Sequence, residues 1–364
     1  MKRTLAWLLL AAALLSLGGC GEAPATSQAP TAFGETVPVE TWAAQTQAAP
    51  AETEAAILEE SLFLKVSAIT FSLVGDSEDI YLGLIPRELV TWESENPEVV
   101  SVENGVLTAN GVGTTTIRAT YEDRQVSCTA GCLAQTQEEL SGLDKEILSA
   151  PKRLPPEVDL EEPCTYFDNA AIMGDSITYF LWQEESKNNY LGDMTFVTRQ
   201  GISINGLVRR FKNMYFRGKE MYIEDVAAQC DVERIYIMLG CLDFQVPAVL
   251  NQLIDNWNTM LDRIQEKSPD KEIVIISNIP SYTEGTGPVE FDENVARIND
   301  QLRQLAKDRG LGFLDLGYYV QDQYGRIPAI YAKDEFHMNG EGSLAWMKIM
   351  RYYAQYELEG GTLS

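Results

Sequence analysis

Asp334-Glu335-Phe336-His337 contains the only histidine of the chain, and Gly174-Asp175-Ser176-Ile177 lies far upstream, directly after the apolar run Ala170, Ala171, Ile172 and Met173. A serine hydroxyl becomes a useful nucleophile when a base takes its proton, and a carboxylate commonly orients that base. An aspartate three residues before a histidine can fold back in a tight turn and accept the imidazole Nδ1–H, which leaves Nε2 to face a serine elsewhere. Ser176, His337 and Asp334 are therefore candidates for nucleophile, base and orienting carboxylate. A lone histidine is more often a surface or core residue, but here it sits in Asp-Glu-Phe-His-Met-Asn-Gly-Glu-Gly. Ser176 precedes a helix-like run over residues 177–185, which places it at a helix N-terminus, where exposed N–H groups and the helix dipole favour developing negative charge. A helix-capping serine shares that strand–Gly-Asp-Ser–helix pattern; the distant Asp-x-x-His separates the two readings. No Gly-x-Ser-x-Gly elbow is present, which points away from the α/β-hydrolase arrangement.

These residues need a scaffold that brings chain-distant loops together. From residue 166 onward, apolar β runs at 170–173, 195–198, 234–239, 272–278 and 312–316 alternate with helical patterns, notably 248–267, 291–309 and 342–356. Continuous apolar strands separated by helices imply an α/β domain, a parallel sheet covered on both faces. Ligands of such sheets bind beyond the carboxyl ends of the strands. Ser176, Gly201 and Leu242 each fall just past the end of an expected strand.

The motifs resemble those of the SGNH (GDSL-type) hydrolases over about the last 200 residues, a plausible single-domain length. Gly174-Asp175-Ser176 matches the block that ends in the nucleophile, and Asp334 and His337 match the closing Asp-x-x-His block. Gly201 in Arg199-Gln200-Gly201 matches the block whose glycine N–H helps hold the oxyanion. The resemblance implies a flavodoxin-like three-layer α/β/α fold with a parallel sheet, and a serine esterase whose oxyanion is held by the N–H groups of Ser176 and Gly201. It implies no cofactor and no metal. The third block, Gly-x-Asn-Asp, reads Gly240-Cys241-Leu242-Asp243, so leucine stands where the family has an oxyanion-binding asparagine. Asn205 is either a substitute donor or a helix-start cap. Cys241 reads as a small buried residue, Phe180 and Trp182 as packing, and Tyr331 as a residue at the cleft mouth.

The chain begins with Lys2 and Arg3, an apolar stretch over residues 5–17, and Leu17-Gly18-Gly19-Cys20. The apolar stretch is short for a membrane span, which needs about 20 residues. The pattern resembles a bacterial lipoprotein signal at residues 1–20, with Cys20 lipidated, and that implies an extracytoplasmic protein anchored to the cell membrane by its acyl chains. Residues 21–60, rich in Ala, Pro, Thr, Gln and Glu, read as a flexible tether. The 54 acidic against 28 basic residues leave a formal charge of −26, which argues against nucleic acid as a partner. Six cysteines leave five after lipidation of Cys20, an odd number; Cys128 and Cys132 are a candidate pair.

Residues 61–131 carry short β-rich runs at 63–71, 80–85, 99–102, 105–108 and 114–121, separated by turn signals such as Glu103-Asn104-Gly105. They read as a small antiparallel sandwich. The stretch from Val90-Thr91-Trp92 to Val102, with Asn104-Gly105-Val106-Leu107-Thr108 and Gly113-Thr114-Thr115-Thr116-Ile117, resembles the bacterial immunoglobulin-like group 2 module. That resemblance suggests envelope or glycan contacts, with Trp92 a sheet residue. Residues 132–165, with four prolines and many acidic groups, read as an interdomain connection holding a short helix at 137–148, and residues 166–360 as the hydrolase domain.

Three activities are consistent with these features. The first is a cell-surface esterase that removes small acyl groups, acetyl above all, from small esters or acylated glycans. The second is an envelope binding or adhesion protein whose hydrolase domain has lost activity with the missing asparagine. The third is an acyltransferase that uses the same three side chains.

Overall fold

A computed structural model of the chain describes residues 64–358 apart from 84, 212 and 284–289. The signal-like segment with Cys20 and the tether at 21–60 lie outside the described residues. Among those described, no helix is long and apolar enough to cross a membrane.

Five parallel strands form the central sheet in the spatial order Thr195–Thr198, Ala170–Gly174, Arg234–Met238, Glu272–Ile276, Gly312–Leu314. Numbered along the chain, that order is 2-1-3-4-5, the doubly wound arrangement with its crevice where the winding reverses, between the first and third strands. The inner strands are buried nearly end to end, as sheets covered on both faces require. Ala171, Met173, Ile235, Ile237, Ile273 and Ile275 point into one layer, beneath the helices Ile223–Gln229, Leu253–Lys267 and Glu290–Arg309. Leu253, Trp257, Met260, Leu261 and Ile264 recur at helical spacing and supply the buried stripe of the second of these. On the other face Tyr236 packs against Phe167 and Tyr353, the latter from the helix Gly340–Leu358. The three-layer α/β/α expectation holds.

Element ends shift where polar side chains capture the backbone. The expected strand 272–278 stops at Ile276, because the Asn299 carboxamide bonds both N–H and C=O of Asn278, at 2.8 and 2.7 Å. The last strand stops at Leu314, and Asp315 caps a short helix by accepting from Tyr318 N. The expected helix 248–267 is two helices, Pro247–Leu250 and Leu253–Lys267. Asn251 and Gln252 stand at the break, and asparagine side chains compete with helical backbone bonds.

The N-terminal β region precedes this domain. Its larger sheet runs Thr91–Ser94, Gly113–Tyr121, Arg124–Ala134, Ala68–Leu73, Arg153–Leu154, and a three-stranded sheet holds Ser77–Asp79, Val106–Ala109 and Val100–Glu103. All pairs are antiparallel except Ala68–Leu73 with Arg124–Ala134, which run parallel. The described residues of 80–85 form only an isolated bridge at Leu82, whereas Arg124–Ala134 is an eleven-residue strand that the reading of short runs did not find. Trp92 lies in a strand, as expected. Cys128 and Cys132 are both free and buried. They stand four positions apart on one extended strand, which separates their Cα atoms well beyond disulfide reach.

The β region and the α/β domain share hydrogen bonds. Arg153 bonds Glu78 at 2.7 Å and the Tyr318 carbonyl at 3.0 Å, and its guanidinium lies 3.8 Å from the Tyr318 ring centroid. Lys65 joins the cluster, 3.7 Å from Glu78 and 4.4 Å from the same ring centroid. Ser72 donates to Gln323, Lys152 N to the Gln321 carbonyl, and Ala329 N to the Ser149 carbonyl. Removing one partner of a well-buried ion pair strands the other charge, whereas exposed pairs contribute little. Arg153→Ala is therefore expected to lose ~3 kcal/mol of stability in urea unfolding. Arg118→Ala, which breaks the exposed pair with Glu95, should lose under ~1 kcal/mol. Equal losses would mean that the Arg153 cluster does not hold the two regions together.

Candidate active site

Gly174 ends the first strand, and Ser176 opens the helix Ser176–Asn188. The turn between them is tight. A Cβ on Gly174 would lie 2.1 Å from Thr178 Oγ1 and 2.7 Å from the Met238 carbonyl, so only glycine lets this helix start so close to the neighbouring strand. Asp175 is the N-cap: its side chain accepts from Ile177 N at 2.9 Å. The Cys241 N–H also donates to Asp175. Ser176 itself is half-buried, with its backbone N–H in the first helical turn.

His337 reaches this serine from the other end of the domain. Nε2 lies 2.9 Å from Ser176 Oγ, and Nδ1 lies 2.8 and 3.0 Å from the two Asp334 oxygens. An ionised carboxylate only accepts, so Nδ1 carries the proton facing Asp334, and Nε2 is left to accept from the serine hydroxyl. Asp334 is held in turn by the N–H groups of Phe336 and His337, at 3.1 and 3.0 Å. Partial burial alone would raise its carboxyl, but these N–H bonds, the imidazole bond and the imidazole charge outweigh that and hold it below the usual range. The loop closes on itself where Lys333 N donates to the His337 carbonyl. Asn339 pins its exit by donating to the carbonyls of Ile330 and Ala332 and accepting from Gly342 N. Phe180 packs edge-on against the imidazole with ring centroids 4.7 Å apart, and Lys333 Nζ stands over the Phe180 ring, 3.5 Å from its centroid.

Gly201 lies in the loop beyond the strand Thr195–Thr198, in the left-handed region with φ 68°. Asp243, the last residue of Gly240-Cys241-Leu242-Asp243, reaches across to that loop's exit and accepts from Ile204 N and Asn205 N, at 2.9 and 3.1 Å. Burial pushes the Asp243 carboxyl up, and those two N–H bonds partly offset it. Burial likewise pushes Asp175 up, to about 7, with its N–H partners opposing and the nearby Asp243 charge adding to the rise. Leu242 is half-buried, and Cys241 is buried, its thiol pushed up first by that burial and then by Asp175 and Asp243. A thiol so held remains protonated and is no nucleophile.

The structure thus brings Ser176, His337 and Asp334 into one hydrogen-bonded line, with the Gly201 and Leu242 loops tied in beside it. Tyr331 departs from its expected place: its side chain is buried rather than lining an open cleft, and its backbone carbonyl accepts from Asn339 N. Asn205 is not the helix cap, since Ser203 fills that role by accepting from Gly206 N. Phe180 packs as expected, against the imidazole itself, whereas Trp182 leans on Tyr179 and stays largely exposed. The structural roles of Asp175 and Asp243 were not read from the sequence. The available signal was that Asp243 keeps the last position of its block although Leu242 has changed.

A buried acid with a raised pKa makes the folded state hold its proton more tightly than the unfolded chain does. The cost of burying Asp175 is absent below its ordinary range and reaches full size as pH rises through about 7. Asp175→Asn removes that titration. The stability of the native protein relative to the variant should therefore fall by about 2 kcal/mol between about pH 5 and pH 7.5 in urea unfolding. A pH-independent difference would show that Asp175 stays ionised at no cost.

The family described as GDSL-like Lipase/Acylhydrolase matches residues 172–345. Among solved structures, the chain is similar to a GDSL-like lipase from Bacteroides thetaiotaomicron, with 13% identity, 54% of this chain and 92% of that one covered, and a TM-score of 0.42. It is similar to a member of the lipolytic protein G-D-S-L family from Veillonella parvula, with 18% identity, 50% and 96% covered, and a TM-score of 0.37. It is also similar to an acetyl esterase mutant with acetate ion, with 13% identity, 52% and 97% covered, and a TM-score of 0.37. No curated protein matches the chain. The matched residues take in Gly174-Asp175-Ser176 near one end and Asp334 and His337 near the other, and residues 172–345 form a GDSL-like lipase/acylhydrolase domain, an enzyme of the esterase class.

Proposed function

We propose that the chain is a serine esterase that removes small acyl groups, acetyl above all, from alcohols or glycan hydroxyls at the cell surface. The observation that carries this reading is the line Ser176 Oγ, His337 Nε2, His337 Nδ1, Asp334, with contacts of 2.9 and 2.8 Å. Ser176 attacks the ester carbonyl while His337 takes its proton, and His337 then protonates the departing alcohol. Water, activated by the same imidazole, releases the acyl group from Ser176. Asp334 orients the imidazole and stabilises its charged form. The N–H of Ser176, in the first helical turn, and the N–H of Gly201 are the assigned oxyanion donors. The N-terminal β region is read as an immunoglobulin-like module that contacts envelope or glycan. The signal-like segment ending at Cys20 supports lipid anchoring outside the cytoplasm; loss of metabolic fatty-acid labelling in Cys20→Ala would bear it out, and unchanged labelling would remove it.

Ser176→Ala should lower kcat/KM on a short-chain aryl acetate by at least ~10⁴-fold with the fold unchanged. Equal activity in variant and parent would end the assignment.

Leu242 favours a second reading, a domain with impaired hydrolysis that serves in binding, because removing one oxyanion donor costs roughly 10²–10³ in kcat in known cases. Labelling by a fluorophosphonate that is lost in His337→Ala would exclude it. Position 242 is half-buried, so an amide there keeps access to water. Leu242→Asn is expected to raise kcat by up to ~10²-fold with little change in KM, since the added donor meets charge present only in the transition state. A folded variant with unchanged or lower kcat would show that the oxyanion is held without that position.

A further inference from the structure

Three charged side chains outside the line of Ser176, His337 and Asp334 are buried together: Arg326, Asp322 and Asp292 are 2%, 3% and 7% exposed. Burial pushes the Asp322 carboxyl up to about 6, against its bonds to the Arg326 and Tyr324 N–H groups and the Arg326 charge, while the Asp292 charge adds to the rise. Burial raises the Asp292 carboxyl too, opposed by its Ser281 bonds and by Arg326. Such groups are costly to bury, and apolar side chains of similar volume often stabilise a core as well or better. Stability is therefore a weak reason for the arginine.

A local turn presents the guanidinium. Asp322 N donates to the Arg326 carbonyl at 2.8 Å, and the Asp322 carboxylate accepts from Tyr324 N and Arg326 N at 2.8 and 3.0 Å. Gly325, with φ 75°, supplies the left-handed step. The guanidinium lies 4.6 Å from the Tyr324 ring centroid, and its Nη2 lies 3.7 Å from Asp322. Nη1 donates to the carbonyl and the hydroxyl of Thr283, at 3.0 and 3.3 Å.

Thr283 is one flank of the short segment 281–283, which follows the fourth strand of the parallel sheet. On the other flank, Ser281 N donates to Asp292 at 2.6 Å, and Ile327 N, next to Arg326, donates to the Ser281 carbonyl at 2.8 Å. That carbonyl shares a planar peptide with the Tyr282 N–H, so fixing one sets the direction of the other. The Tyr282 N–H in turn donates at 2.7 Å to the carbonyl of Glu335, inside Asp334-Glu335-Phe336-His337. Two residues on, His337 Nε2 meets Ser176 Oγ at 2.9 Å. The guanidinium is thus joined to the imidazole by short covalent segments and measured hydrogen bonds throughout.

We propose that Arg326 is a positioning residue for the triad: with Asp292 it grips residues 281–283 from both sides and holds the Tyr282 N–H on Glu335, which keeps the His337 imidazole at hydrogen-bonding distance from Ser176. Its bearing on activity rests on the esterase reading; the placement of the imidazole does not. Arg326 makes no contact with substrate, so its loss falls on turnover and not on binding. A misplacement of about 1 Å at a catalytic group can cost ~10²-fold in rate.

The test compares the full-length native protein with Arg326→Ala, Arg326→Lys, Asp292→Ala and Leu302→Ala, the last a core truncation on the helix that carries Asp292. His337 is the only histidine, so the low-field proton NMR signal of its Nδ1–H bond to Asp334, under histidine-selective isotope labelling, reads its placement without overlap and without turnover. In Arg326→Ala that signal should shift or broaden, and kcat on an aryl acetate should fall ~10²-fold with KM changed less than ~3-fold. Arg326→Lys, which keeps one donor for Thr283, should recover part of both, and Asp292→Ala should move both in the same direction as Arg326→Ala. Leu302→Ala should lower the melting temperature and leave both readings native. A folded Arg326→Ala with native signal and native kcat, or equal changes in Leu302→Ala, would overturn the proposal. Where Arg326→Ala does not fold, native signal and kcat in Asp292→Ala would overturn it instead. A shifted signal in Arg326→Ala, with a native protein that turns over no ester, would leave the positioning standing and overturn the esterase reading.

Discussion

Two carboxylates, Asp175 and Asp243, are buried at the carboxyl end of the parallel sheet and are held by backbone N–H groups. Asp175 ties the Gly-Asp-Ser turn to Cys241 in the loop after the third strand, and Asp243 ties that same loop to the exit of the Gly201 loop. Each carboxylate is desolvated, and the two repel each other, so their burial is tolerated only while those N–H groups stay in place. Three loops from three strands are thereby locked to one another. The placement of Ser176, and of the N–H groups beside it, depends on that lock.

His337 arrives by a different route. Its loop is closed by the Asp334 and Asn339 bonds and joined to the segment after the fourth strand where Tyr282 N donates to the Glu335 carbonyl. The chain leading into it, residues 318–329, is bonded to the N-terminal β region and its connection through Arg153, Lys152, Ser149 and Gln323. The β region therefore touches the segment that delivers the histidine and contributes to the support of the site.

The parallel sheet was legible because its inner strands are continuous apolar runs, and the site because Ser176, Asp334 and His337 carry a spacing that few other roles require. The positions beside the site were less legible. Tyr331 was expected in the cleft and is buried, since its distance from Asp334 in sequence says nothing of the turn between them. The strand Arg124–Ala134 was missed because Gly131 and small polar residues dilute its β character, and its stability comes from pairing on both sides. The cross-loop reach of Asp243 depends on contacts between residues 38 and 39 positions apart, which no local pattern encodes.

The account turns on whether the hydroxyl facing His337 becomes covalently acylated. Rapid quenching of the protein during turnover of an aryl acetate, followed by peptide mass spectrometry, reads this directly. The expected result is an acetyl group on Ser176 that appears before product accumulates, and that is absent in His337→Ala. Acetylation at another residue, or turnover with no acetyl group on Ser176 at any quench time, would contradict it.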